Sequence, residues 1–153
     1  MNKNKKSINT RRIDHIMWFT ANSLNLLMVL VFLSRTLPNP RLEFYAGILL
    51  LLLALPTLYV MIKNIQAQRG TWYWLLPLLL VLFLIVELLL DHIFFPDFRQ
   101  SRLLGPYLGL YYLSLMAMIG YSFMTSKKAG FITLITYFLN QVATFYSYFK
   151  VGH

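Results

Sequence analysis

The chain has 153 residues, 58% hydrophobic and only 12% charged, which is too little polar surface to coat a water-soluble globule of its size. Its formal charge is +9, yet Lys and Arg sit at the ends of apolar runs instead of forming a stripe interleaved with aromatics, which excludes nucleic acid and points to anionic lipid headgroups as partners. It has no cysteine, which removes disulfides, thiolate metal sites and Cys nucleophiles.

The composition and several apolar runs of about 18 residues or more predict an all-α transmembrane bundle, read as one domain over 1–153 with five spans. The first run, 16–34, follows a basic head holding Lys3, Lys5, Lys6, Arg11 and Arg12. A secretory core is about 7–15 residues long and is followed by small residues, whereas here Arg35 and a proline-rich link follow, so the run is expected to stay as a span. On a helical wheel Asp14, His15, Trp18, Asn22 and Asn25 share one side, with the two asparagines roughly 9–14 Å beyond Ile16.

The second run, 44–62, contains Pro56, and the third, 72–90, contains Pro77. Both prolines predict kinks. Trp72, Tyr73 and Trp74 open the third run as an interfacial aromatic belt. It ends in the most chemically loaded stretch of the chain, from Glu87 through Asp91 and His92 to Arg99 and Arg102. Glu87 and Asp91 are one helical turn apart and share a side. In low dielectric they would act as an acid–base or proton-carrying pair, or form an ion-pair clasp or headgroup contact with Arg99 and Arg102. His92 is turned about 100° from Asp91, which argues against a metal site there.

The fourth run, 103–125, starts with Pro106 in its first turn, where a missing donor costs little. Gly105, Gly109 and Gly120 lie on one side, and Tyr107, Tyr111, Ser114 and Tyr121 lie roughly opposite. The glycine face invites close approach of another helix, within the chain first and across a homo-oligomer or partner second. In the fifth run, 130–149, Thr133, Thr136, Tyr137, Asn140, Gln141, Thr144, Ser147 and Tyr148 fall within roughly 140° of the wheel. Such a stripe must face protein, water or a ligand. Asn140 and Gln141 reach a depth similar to that of Asn22 and Asn25, so an amide cluster near the midplane is expected.

Nine of the 14 Lys and Arg fall on the side of the head, which predicts a cytoplasmic N-terminus and a C-terminus outside, in a bacterial-type cytoplasmic membrane. No motif of a known soluble mechanism is matched, and no cofactor or metal is expected. The leading expectation is a bundle that binds or moves a small amphiphilic or lipid-like molecule in a polar-lined cavity. Its ligand contacts would be Glu87, Asp91, Tyr107, Tyr111, Asn22, Asn25, Asn140 and Gln141. Two other functions fit the same residues: an accessory subunit of a larger membrane complex, and an intramembrane lipid-modifying enzyme using Glu87 and Asp91.

Overall fold

A computed structural model describes residues 3–37, 40–94 and 102–151, and every regular element among them is helical. The elements are α1 (Lys3–Arg35), α2 (Pro40–Leu52), α3 (Ala54–Gln66), α4 (Trp72–Glu87), α5 (Leu104–Thr125) and α6 (Lys127–Val151), with a π-helix over Leu88–Phe94 continuing α4. Four stretches are long and apolar enough to cross a bilayer: Thr10–Arg35, Arg41–Gln66, Trp72–Leu90 and Leu104–Thr125. That is the signature of a multi-pass membrane protein. The surface agrees, since Phe19, Leu55, Phe138, Val142 and Phe149 are all exposed, an array suited to lipid tails and not to water.

The prolines act in different ways. Near Pro56 the rod breaks at Leu53, whose N–H bonds back three residues to Leu50 at 3.1 Å. Pro56 cannot donate to the carbonyl four residues earlier, and its ring crowds that turn. Pro77 leaves α4 continuous. The carbonyl it cannot reach, that of Tyr73, accepts a hydrogen bond from Asn64 Nδ2 of α3 at 2.8 Å, so a neighbouring helix supplies the missing donor.

Two tight connections set the register of the bundle. α3 ends in a Schellman turn, with Gln68 N–H bonded to Ile65 (2.9 Å), Arg69 N–H to Asn64 (3.1 Å) and Gln68 at φ 51°. α5 and α6 are joined through Ser126 alone. Its extended backbone turns the chain, and its hydroxyl accepts from the Ala129 N–H at 3.1 Å, capping α6. A β-carbon at Gly130 would collide with the ring of Phe123, so this hairpin requires glycine there.

The rods form a ring in which α1, α6, α5, α4 and α3 touch in succession and α3 returns to α1, with α1 also touching α5 across the middle. Met17, Leu24, Leu50, Leu80, Phe83, Leu115 and Met118 fill the core. The start of α1, the α3–α4 turn and the α5–α6 turn meet at one end, which carries the basic head. The glycine face behaves differently from expectation. A β-carbon at Gly105 or Gly109 would have no neighbour within 4 Å, and one at Gly120 would meet only the Leu76 side chain at 3.7 Å. Close helix approach within the chain is therefore not what Gly105 and Gly109 provide.

Candidate functional site

Among the described residues, three groups of interior polar side chains link the helices, stacked from the basic end to the opposite end. At the basic end Arg69 grips Asp14 of α1 with two nitrogens, at 2.6 and 3.2 Å. Tyr121 of α5 donates to the same carboxylate at 3.0 Å, Asn64 accepts from Arg69 at 3.0 Å, and Tyr73 lies under the guanidinium at 3.5 Å. Burial works against the charge of Arg69, but the Asp14 carboxylate together with Tyr121 and Tyr73 outweighs it and holds the Arg69 pKa above the ordinary arginine value. Four elements are thereby tied together. Sequence reading left this clasp unseen, although a single acid amid a basic head was its signal.

The second group is a seam between α1 and α6. Trp18 Nε1 donates to the Ala129 carbonyl (3.2 Å), Asn22 Nδ2 to Thr133 Oγ1 (3.2 Å) and Asn25 Nδ2 to Thr136 Oγ1 (2.9 Å). All three pairs are separated by 111 residues, which means that the two helices run parallel in constant register. Thr133 also donates to Ser122 of α5 at 3.0 Å. Asn22 and Asn25 are thus interhelical bonding groups. Asn140 bonds instead to Tyr111 of α5 at 2.9 Å, so the expected amide cluster is divided between two seams.

The third group surrounds a cavity of about 330 Å³ at the end away from the basic head. Among the described residues the last α1–α6 hydrogen bond joins Asn25 and Thr136, and one turn further Met28 is the first wall residue. Phe32 and Arg35 of α1, Glu87 of α4, Tyr107, Tyr111 and Tyr112 of α5, and Thr144, Ser147 and Tyr148 of α6 continue the lining. Each helix contributes through ordinary spacing: Tyr107 and Tyr111 are four apart, as are Thr144 and Tyr148. Glu87 is only 6% exposed and accepts a 2.5 Å hydrogen bond from the Tyr107 hydroxyl. Phe83, fully buried, braces the rings of Tyr107 and Tyr111 at centroid distances of 6.0 and 5.4 Å. At the rim Arg35 is paired with Glu43 at 2.7 Å and lies over Phe32.

Spare polar capacity lies in the lining at Ser147 and, outside the lining, at Asn25, Asn140 and Gln141. Ser147 Oγ is buried and makes no hydrogen bond to protein, and Asn140 Oδ1, behind Tyr111, is in the same condition. Buried polar atoms of this kind are rare and call for an explanation.

Of the residues singled out from sequence, Glu87, Tyr107 and Tyr111 meet in this cavity, with Asn140 directly behind it. Gln141 is half-buried outside the lining. Arg102 is exposed in the turn before α5. The side chain of Asp91 and the whole of Arg99 lie outside the described residues, and so does the clasp expected of them. The shared side assumed for Glu87 and Asp91 used α-helical spacing, whereas the backbone is wound as a π-helix from Leu88 onward. Arg35, Thr144, Ser147 and Tyr148 join the site without having been named as ligand contacts. Three of these were visible in the α6 stripe, and Arg35 had been read only as the end of a span.

Comparison with protein-family models, with curated proteins and with solved structures gives no match, so function rests on this geometry alone.

Proposed function

We propose that the chain is a five-span membrane protein that binds a small amphiphilic or lipid-like molecule in the cavity between α1, α4, α5 and α6. The observation that carries the proposal is a cavity of about 330 Å³ with aliphatic and aromatic walls, one buried carboxylate and an unpartnered buried hydroxyl. Its size lies in the range of roughly 300–1,000 Å³ and its lining has the mix usual for small-molecule sites. In this reading Glu87, steadied by Tyr107, meets the polar head, and Tyr111 and Ser147 orient it. The tail leaves past Leu108 and Tyr112, which are both exposed. α6 is the fifth span: its 25 residues are long enough, and its polar side is turned to protein. The excess of Lys and Arg at the basic end supports a cytoplasmic N-terminus, which puts the cavity in the outer half of the membrane.

The test uses a dodecanol bearing a photoreactive diazirine, added to protein reconstituted in lipid nanodiscs. Labelling is expected on peptides covering the cavity walls of α5 and α6, and Ser147→Phe, which fills the cavity, is expected to remove it while leaving the melting temperature within a few degrees of the parent. Equal labelling of the two proteins would show that the probe touches only the lipid-facing surface, and the proposal would fail.

A further inference from the structure

Resting on that reading, we infer that the head group of the amphiphile is an uncharged hydroxyl, held by a hydrogen bond to Ser147. Ser147 lines the cavity, is only 1% exposed, and its Oγ makes no hydrogen bond within the protein. Other buried serines behave differently: Ser34, Ser114 and Ser122 each donate to a carbonyl three or four residues earlier in their own helix. That back-bond is open to a helical serine without help from any neighbour. A serine that faces a cavity and does not make it is set to bond what enters, and its hydroxyl can both give and take a hydrogen bond.

The rest of the lining narrows the choice. Tyr107 donates to Glu87, and both residues are further engaged. Tyr111 accepts from Asn140, and Thr144 donates to the Asn140 carbonyl at 2.8 Å. At the rim Arg35 is paired with Glu43, while Tyr112 and Tyr148 are exposed. A charged head would therefore shed its water to meet acids and bases that already hold partners, which is costly. A quaternary ammonium neither gives nor takes a hydrogen bond, so it would leave the Ser147 hydroxyl buried and unsatisfied. An ether takes one bond. An alcohol takes one or gives one, and brings no charge to compensate. The same group occurs on a diacylglycerol of the membrane and on a free long-chain alcohol.

Three photoreactive probes with the same twelve-carbon chain separate this inference from the reading beneath it: the dodecanol already described, its methyl ether and a dodecyltrimethylammonium. Compared by mole fraction in the bilayer, the alcohol is expected to half-saturate labelling of the cavity peptides at about fivefold lower amount than either of the others. Ser147→Ala is expected to shrink that preference to about twofold or less. Because Ser147 Oγ has no bond in the protein to lose, the same change should not lower the melting temperature. Ser122→Ala removes a hydroxyl outside the lining and should keep the preference. If the ether or the ammonium labels the cavity as well as the alcohol does, the cavity stands and the hydroxyl head is wrong. The inference is equally overturned if Ser147→Ala keeps the full preference. If no probe labels the cavity peptides, both proposals fall. With labelling established, competitors without the diazirine assign the source: displacement by dioleoylglycerol identifies a membrane diacylglycerol as the occupant, and displacement by dodecanol alone identifies a free alcohol. Displacement by neither overturns the inference.

Discussion

Asn64 of α3 donates to the main-chain carbonyl of Tyr73 at 2.8 Å, the carbonyl that Pro77 leaves without a helical donor. The same amide nitrogen is 3.1 Å from the Tyr121 hydroxyl, and its oxygen accepts from Arg69. Removing the side chain strands several buried groups at once. Asn64→Ala is therefore expected to destabilise the bundle by about 2–3 kcal/mol. In a Pro77→Ala background, where the helix regains its own N–H, the cost is expected to fall by about 1 kcal/mol. Equilibrium unfolding of the four proteins in mixed micelles measures this coupling, and strict additivity would mean that Asn64 does not replace the missing donor.

The Asp14–Arg69 clasp depends on a planar, two-pronged donor. Arg69→Lys keeps the charge but loses the fork and the stacking on Tyr73, and is expected to cost about 1–2 kcal/mol. The folded-state pKa of Arg69 is raised. Its contribution is therefore fully present below the unfolded-state value and is lost only as pH rises through a folded value above the ordinary arginine range. Unfolding curves between about pH 7 and pH 10 should show no loss from this group, and a loss in the parent that is missing in Arg69→Met would contradict the assignment.

Thr133 is the hub of the α1–α6 seam, within hydrogen-bond distance of Asn22 and Ser122 and adjacent to Asn25 through its carbonyl. Interhelical hydrogen bonds in membranes are individually modest, so Thr133→Val is expected to cost about 0.5–1.5 kcal/mol. Because the seam stops before the cavity, the same change should leave photolabelling of the cavity walls unaltered. A stability assay and the labelling assay on one preparation check both halves.

The turn at Ser126 allows a sharper contrast. Ser126→Ala removes the cap of α6 and is expected to cost about 1 kcal/mol, measurable as a lowered midpoint of unfolding. Gly130→Val has no room against Phe123 and is expected to cost more than the cap does. If valine were tolerated as well as alanine is at 126, the close approach of the two helices would be wrong.

Helix positions and the inward stripe of α6 were readable because apolar length and side-chain periodicity are local properties. Pro56 announced a kink where the rod in fact breaks, yet the absorption of Pro77 depends on Asn64, a residue on another helix, and nothing in the local pattern reports that. The pairing of Asp14 with Arg69 was hidden for the same reason: 55 residues separate them. Glu87 was recognisable as a buried acid, but Tyr107, which reaches it from the first turns of α5, is twenty residues away and could not be paired with it by local spacing. The π-helix after Leu88 carries no residue signature. Its wider winding removes the basis for placing Asp91 by counting turns.

The account depends most on which side of α6 meets hydrocarbon. Spin labels placed one at a time from 131 to 149 in the cysteine-free chain, read for collision with oxygen in lipid nanodiscs, test this directly. Contact with oxygen should peak at 131, 135, 138, 142 and 145, where the native residues are exposed, and reach minima at 133 and 140, where they are fully buried. Maximal contact at 140, with 138 and 142 shielded, would turn the helix inside out and remove the cavity with it.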